Sequence, residues 1–169
     1  CLGSPSETRS AVVVPLVTAT PRPDALFSRI FADPAIAAEV LRGALPDDVA
    51  ACIDFGSLVL EPGSFVDEDL RATHSDLVFS ARLLGASRDA RLFVLLEHQS
   101  SPDGLMPFRL LRYAVRVWSH FLVEHPDAKQ LPVIVPVVLH QGPGRWQAPI
   151  DMLDVLDLRG EERAVLGRY

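Results

Sequence analysis

Two runs of β-forming residues separated by a short turn constrain the fold more than any other feature of this sequence. The first run, SDLVFSARL, covers residues 75–83, and the second, ARLFVLLEHQ, covers residues 90–99. Between them lie Gly85, Ala86 and Ser87, a composition typical of a chain reversal. We therefore predict that the two runs form an antiparallel β-hairpin.

The position of the turn predicts which residues of the hairpin face each other. If the turn is centred directly after Ala86, residues whose numbers sum to 173 lie opposite one another. Asp76 then faces Glu97 and His74 faces Gln99, with opposite Cβ atoms roughly 4.5 to 5.5 Å apart. Because the side chains of a strand alternate with a period of two, Gln99 shares the face of Glu97. Polar groups therefore gather at the open end of an apolar hairpin.

Two carboxylates at this distance repel each other unless a cation neutralises them or one of them takes up a proton. Mg²⁺ binds one or two carboxylates, a carbonyl and several waters, all of which this end of the hairpin could offer. The sequence thus indicates a site for Mg²⁺, or for Mn²⁺ or Ca²⁺ in its place. The alternative is that Asp76 and Glu97 mark the points where the strands reach solvent, as a register shift of one residue would allow.

Composition and charge limit the classes of function. The chain has 169 residues, of which 49% are hydrophobic and 22% charged, as expected of one soluble globular domain. Its net charge of -6 gives no sign of a nucleic-acid partner, so DNA binding would need a local basic patch. Cys1 and Cys52 are the only cysteines, which fits a reducing, cytoplasmic setting. The early apolar run 11–17 is too short to span a membrane.

Helical patterns precede the hairpin. Asp24 and Asp33 are the predicted N-caps of two short helices, and Pro34 occupies a first helical position. A third helical turn over residues 47–53 leads to a strand around residues 58–60. The first 23 residues, rich in Ser, Thr and Pro, are expected to be a disordered leader, with a single domain over residues 24–169.

The clearest helix covers roughly residues 106–123. At 100° per residue, one broad apolar face is expected to pack on the core and consists of Leu111, Ala114, Val115, Val117, Trp118, Phe121 and Leu122. The opposite face is expected to be exposed and carries Arg109, Arg112, Tyr113, Arg116 and His120. Its three arginines predict a stripe that follows a DNA backbone, and the alternative is a solvated helix face without a partner.

The last strand follows this helix. LPVIVPVVLH, residues 131–140, is a nearly continuous β-branched run, typical of a strand buried on both faces, although Pro136 interrupts its hydrogen bonding. A hairpin followed by a helix and a further strand favours an α/β fold, with a mixed central sheet flanked by helices.

Four segments resemble the Rpn recombination-promoting nucleases, also called YhgA-like transposases. They are PDALFSRIF, EPGSFVDEDLRATHSDLVFSARL, LFVLLEHQSSPDGLMPFRLLRYAVRVW and PVIVPVVLHQGPGRW, and the similarity extends over roughly residues 22–146. That family belongs to the PD-(D/E)XK nuclease superfamily, so the resemblance implies a restriction-endonuclease-like core. It also implies a metal-dependent DNA endonuclease linked to recombination or transposition. The family pattern has a later C-terminal part that this chain, which ends at Tyr169, lacks.

The resemblance implies roles for residues of the hairpin. Asp76 would be the metal-binding Asp of the superfamily, and Glu97 the acidic residue of its second motif. The carbonyl of His98 is a further candidate ligand, while its side chain is expected to be structural. Gln99 stands where the superfamily most often has Lys and cannot supply a positive charge, although its amide can still hydrogen-bond water or phosphate.

Accessory residues and a second function stay open. A carboxylate from the first helices often completes such sites, so Asp24 and Glu39 are candidates, although a helix cap and a solvated face are their commoner roles. His74 is a candidate for orienting water or phosphate, and a structural role is its alternative. The rival function is a catalytically inactive DNA-binding or oligomerisation fragment, for which Gln99 together with the missing C-terminal part of the family pattern is the distinguishing feature. Homo-oligomerisation of an active nuclease is also left open.

Overall fold

The structure is a computed structural model that describes residues 12–15, 29–62, 77–85, 91–99, 101–141 and 145–167. Its strands are β1 (Val12–Pro15), β2 (Ile53–Leu60), β3 (Leu77–Leu83), β4 (Arg91–Gln99) and β5 (Val133–His140). Its helices are α1 (Pro34–Ala44), α2 (Asp47–Ala50), α3 (Met106–Glu124) and α4 (Gly160–Leu166), with a short 3₁₀-helix at Met152–Asp154. No helix in these ranges is long and apolar enough to cross a membrane.

The five strands form one mixed sheet in the order β1-β5-β4-β3-β2. Strand β4 pairs antiparallel with β3 on one side and parallel with β5 on the other, and β1 pairs parallel with β5. The parallel connection from β4 to β5 runs through α3, as a parallel pair requires a crossover. This arrangement confirms the predicted α/β fold and is compatible with a restriction-endonuclease-like core.

The predicted hairpin register is confirmed for the residues that the structure describes. The β3–β4 pairs run from Leu77 opposite Leu96 to Arg82 opposite Arg91, and every pair fits a turn centred after Ala86. Asp76 would be the next residue beyond Leu77, but it lies outside the described residues.

The apolar core lies on both faces of the sheet. Phe79, Val94 and Val137 belong to one cluster of buried residues, which they share with Leu41 of α1. Their strand neighbours Val78, Phe93 and Val138 belong to a second cluster, built with α3 residues that include Met106, Leu110, Tyr113 and Val117. The two helices therefore cover opposite faces, because successive side chains of a strand point to opposite sides.

The start of α1 confirms the predicted cap. The Asp33 carboxylate accepts a hydrogen bond of 2.9 Å from the backbone N–H of Ala35, and Pro34 occupies the first turn. Proline is favoured there because that N–H has no intrahelical partner. The other predicted cap, Asp24, lies outside the described residues.

One predicted strand boundary was wrong, and one strand was not predicted. Strand β2 begins at Ile53, five residues before the predicted position 58, because the helical turn before it ends at Ala50. Val12–Pro15, which fell in the expected disordered leader, forms an edge strand on β5. Its partner residues on β5 begin at Val137, directly after Pro136, so β1 does not pair with Pro136.

The predicted orientation of α3 was partly wrong. Ala114 and Val117 are buried as predicted, but Leu111, Val115 and Leu122 are exposed. Tyr113, assigned to the exposed face, is buried instead. The helix is apolar on two sides, and the side that meets the sheet is the one carrying Met106, Leu110, Tyr113, Ala114 and Val117. Hydrophobicity alone could not distinguish these two sides, and a tyrosine buries a large apolar ring despite its hydroxyl.

Two valines of α3 provide a direct test of this orientation. Val117 is 1% exposed and Val115 is 50% exposed, so the same truncation removes buried methyl groups in one case only. Val117→Ala should lower the free energy of unfolding by roughly 2 kcal/mol, through lost burial and the cavity left behind. Val115→Ala should change it by less than about 0.5 kcal/mol. Urea denaturation of both variants measures the difference, and equal effects would contradict the observed packing.

Candidate active site

Strands β4 and β5 end together at one edge of the sheet, and each ends on a buried polar residue. The parallel register pairs Gln99, the last residue of β4, with His140, the last residue of β5. The two residues are only 7% and 2% exposed, respectively. Buried polar side chains are uncommon unless they are paired or used. This edge is therefore the candidate functional site.

The backbone oxygen of Gln99 connects the two strand ends. It accepts a hydrogen bond of 2.9 Å from the backbone N–H of Gln141. The Nδ1 atom of His140 lies 3.3 Å from the same oxygen. Because a carbonyl oxygen only accepts hydrogen bonds, this contact requires the proton of a neutral imidazole to be on Nδ1. The Nε2 atom then carries a lone pair.

Two ring nitrogens at this edge are buried without a partner among the residues that the structure describes. They are Nε2 of His140 and Nε1 of Trp146. The two rings are in T-shaped contact, with centroids 5.3 Å apart and planes at 77°. A buried polar atom without a partner costs about 1–3 kcal/mol of stability. Sequence reasoning missed both residues, although His140 closes its apolar run in the way that Glu97 to Gln99 close theirs.

The predicted acidic pair is only partly within the described structure. Glu97 and His98 lie in β4 opposite Val138 and Leu139 of β5, but their side chains, like the whole of Asp76, lie outside what is described. Leu96 opposite Leu77 is the last described pair of β3 and β4, and Glu97 is the next residue of β4 after that pair. The pairing of the two carboxylates stays a prediction.

The carbonyl of His98 faces away from β5. The Gln99 carbonyl points to β5, where it accepts from Gln141, and successive carbonyls of a strand point to alternate sides. The His98 carbonyl therefore points toward the β3 side, beyond the described end of that strand. That is the side on which the sequence predicts Asp76.

The structure gives the accessory candidates less support. Glu39 is exposed on α1, which covers the face of the sheet opposite to α3. Gln99 and His140 lie on the α3 face, because they are an even number of residues from Phe93 and Val138, which pack under α3. His74 and Asp24 lie outside the described residues. Within the described ranges, no group of three or more His, Cys, Asp or Glu side chains could hold a metal.

The three arginines of α3 do not form a uniform stripe. Arg109 is mostly buried, its side chain 14% exposed, and makes a 3.0 Å ion pair with Asp103. The same Asp103 accepts a hydrogen bond of 2.8 Å from the N–H of Leu105. Arg109 therefore stabilises the loop that joins β4 to α3. Arg112 is exposed and Arg116 is half-buried, so these two are the arginines that a ligand could reach.

Comparison with known proteins gives one family. The family model described as "Putative transposase, YhgA-like" matches residues 21–167. The recombination-promoting nuclease RpnD of Escherichia coli O157:H7 is 39% identical over 125 residues, which are 74% of this chain and 46% of that protein. RpnA of E. coli K12, also a recombination-promoting nuclease, is 36% identical over 121 residues, covering 70% of this chain and 39% of RpnA.

A third relative is named as an inactive nuclease-like protein. The "putative inactive recombination-promoting nuclease-like protein YjiP" of E. coli K12 is 43% identical over 100 residues, 59% of this chain and 94% of that protein. The chain spans less than half the length of RpnD and RpnA. No solved structure matches the chain.

Substitutions of two arginines of α3 test whether Arg109 has a structural role and Arg112 only a surface position. Arg109→Ala leaves the half-buried Asp103 without its ion pair, so it should lower the free energy of unfolding by about 1–3 kcal/mol. Arg112→Ala alters only an exposed position and should change stability by less than about 0.5 kcal/mol. Thermal and urea denaturation measure both. Similar stabilities of the two variants would mean that the Arg109–Asp103 pair contributes nothing to the fold.

Proposed function

Since this chain belongs to the YhgA-like transposase family, we propose that it is a metal-dependent DNA endonuclease that hydrolyses phosphodiester bonds during recombination or transposition. The names of RpnD and RpnA support a nuclease. The observation that carries the proposal is the β3–β4 register, because its described pairs follow the same register as the one that predicts Asp76 opposite Glu97. The mixed sheet is the second support, since a PD-(D/E)XK core has this architecture.

The proposed metal ligands are the carboxylates of Asp76 and Glu97 and the carbonyl of His98. They suit Mg²⁺ or Mn²⁺, because hard cations prefer oxygen ligands. The direction of the His98 carbonyl, away from β5 and toward the β3 side, agrees with this set. When bound, such a cation supplies Lewis-acid chemistry, which polarises the phosphate and lowers the pKa of a nearby water.

The residues of the chain then position the reactants. The oxygen of water bonds to phosphorus while the bond to the leaving oxygen breaks, and the leaving oxygen takes up the proton that the water loses. Gln99 is held at the end of β4 by its buried position, so its amide can hydrogen-bond the phosphate or the water in a fixed geometry. It provides no positive charge, so charge stabilisation falls to the cation and to arginines.

The proposed DNA contacts are Arg112 and Arg116, with Arg109 as the residue that fixes the helix beside the site. The chain has a net charge of -6, so its overall field repels DNA and affinity has to arise locally. Both arginines lie on α3, the helix that begins seven residues after Gln99. DNA bound along this helix would therefore pass close to the ends of β4 and β5.

A second function has its own support. Gln99 replaces the lysine usual in the superfamily, and a relative with "inactive" in its name matches more than half of the chain. The alternative is therefore a DNA-binding or oligomerisation unit that retains the fold without cleavage. Divalent metal binding distinguishes the two, because only the nuclease needs it.

The metal site is tested by Asp76→Ala. We expect this change to abolish Mg²⁺-dependent nicking of supercoiled plasmid and to weaken Mn²⁺ binding in calorimetry, because one of two carboxylates is lost. Asp157→Ala is the matched control, since the Asp157 side chain is 94% exposed in the C-terminal region. Circular dichroism checks that both variants fold. Equal metal binding by wild type and Asp76→Ala would contradict the site, and nicking by neither wild type nor variant would favour the alternative function.

The DNA surface is tested by the salt dependence of binding to a random duplex, measured in Ca²⁺ to discourage turnover. Each lost phosphate contact should reduce the slope of log K against log[salt] by about 0.9. We expect about this change for Arg112→Gln and a larger one for the double variant with Arg116→Gln. Arg159→Gln, at an exposed position of the C-terminal region, is the control. Unchanged slopes in both arginine variants would place the DNA path elsewhere.

A further inference from the structure

His140 combines two properties at the proposed nuclease site. Its Nδ1 lies 3.3 Å from the Gln99 carbonyl, and in a neutral imidazole that contact leaves the lone pair on Nε2. This Nε2 atom is buried and has no hydrogen-bond partner in the described part of the chain. A ring fixed by one nitrogen with a free acceptor on the other is suited to hold a small donor molecule.

The surroundings of His140 favour a polar molecule at this position. Trp146, whose ring contacts that of His140, also has its N–H buried without a partner among the described residues. An acceptor and a donor without partners among the described residues thus lie on two touching rings, and Trp146 packs against the apolar cluster under α3. Native structures rarely leave such groups unpaired without a functional reason.

The strand register places His140 beside the residues proposed for the reaction. It is the direct partner of Gln99, and its neighbour two residues earlier, Val138, is the partner of Glu97. Positions 97 and 99 of β4 and position 140 of β5 share the α3 face of the sheet, because side chains alternate along each strand. The acceptor therefore belongs to the same edge as the proposed carboxylates.

We propose that His140 accepts, through Nε2, a hydrogen bond from the water that attacks the phosphodiester. This inference rests on the proposed nuclease function. The hydrogen bond aims the lone pair of the water at phosphorus, and the proton that the water loses goes to the leaving oxygen. The backbone carbonyl of Gln99 fixes the His140 ring, while the side-chain amide of Gln99 is proposed to hydrogen-bond the phosphate or the water. His140 is thus a catalytic residue at this site and Gln99 its positioning partner.

Two substitutions of His140 separate its two nitrogens. In His140→Asn, the side-chain amide retains a donor near the position of Nδ1 but has no group at Nε2. In His140→Gln, an amide oxygen lies near the position of Nε2 and can accept. His125→Asn is the matched control, because His125 also has its Nδ1 near a backbone carbonyl, 3.1 Å from that of Phe121, but is exposed at the end of α3.

Plasmid nicking with Mg²⁺ gives the first readout. His140→Asn should lower kcat about 100-fold, as expected for a misplaced reactant, with little change in KM or in duplex binding in Ca²⁺. His140→Gln should be faster than His140→Asn, and His125→Asn should equal wild type. Wild-type turnover by His140→Asn would overturn the inference, and so would equal losses in both His140 variants, which indicate a structural role. Weaker Mn²⁺ binding by His140→Asn would instead make His140 a metal ligand and also overturn it.

A second readout does not depend on turnover. In the ¹⁵N spectrum of histidine-labelled wild type, His140 should show a protonated Nδ1 and an unprotonated Nε2. Addition of a short duplex in Ca²⁺ should shift the Nε2 signal of His140 and leave that of His125 in place. An unchanged His140 signal at saturating duplex would refute the inference. If wild type does not nick DNA but the signal shifts, the nuclease proposal fails and the assignment of His140 as a ligand-contacting acceptor survives.

Discussion

The parallel pairing of β4 with β5 is the constraint on which the rest of the structure depends. Strand β4 is the only described strand with an antiparallel neighbour on one side and a parallel neighbour on the other. The antiparallel pairing with β3 determines the position of Glu97 in the hairpin. The parallel pairing with β5 brings the end of β5 to the same edge. Since a parallel pair needs a crossover, α3 has to span one face of the sheet, and it begins beside that edge. One strand therefore positions the hairpin, the helix and the candidate site.

This edge is polar at the expense of stability. The strands are apolar over most of their length, and their described clusters are built from residues such as Phe93, Val94, Val137 and Val138. At the end of the two strands, Gln99 and His140 are as buried as these residues but retain polar atoms. Folding alone would favour an apolar residue at position 140, because Nε2 of His140 is buried without a partner among the described residues and such atoms are costly. This edge therefore differs from the remainder of the core, because its buried residues carry polar groups that lower stability but can take part in chemistry.

Local patterns predicted the fold better than they predicted packing. The hairpin register followed from the position of one turn, because the point where the chain reverses determines which residues of two adjacent strands face each other. The face of α3 did not follow, because two sides of that helix are apolar and only the sheet decides between them. The strand Val12–Pro15 was missed for the same kind of reason, since its pairing with β5 joins residues more than a hundred positions apart.

The candidate site could be predicted only along one chain segment. Glu97 and Gln99 were identifiable because they close a single apolar run, whereas His140 reaches Gln99 only through the parallel register. The structural role of Arg109 could not be predicted from the sequence either. Its spacing from Arg112 and Arg116 indicates a common face, but its ion pair with Asp103 depends on how the β4–α3 loop folds back. Residues brought together by tertiary structure leave no periodic signal in the sequence.

In the proposed nuclease, helix α3 would serve two requirements, the positioning of the strand ends and the contact with DNA. Its buried side holds the sheet through Met106, Leu110 and Tyr113, and the Trp118 side chain donates a 2.9 Å hydrogen bond to the Pro132 carbonyl, just before β5. At its start, Arg109 ties the helix to the loop that follows β4. The orientation that buries Tyr113 is also the one that leaves Arg112 exposed, because the two positions are fixed on the same rigid helix. The position of any DNA contact made by α3 is therefore coupled to the packing that aligns Gln99 with His140.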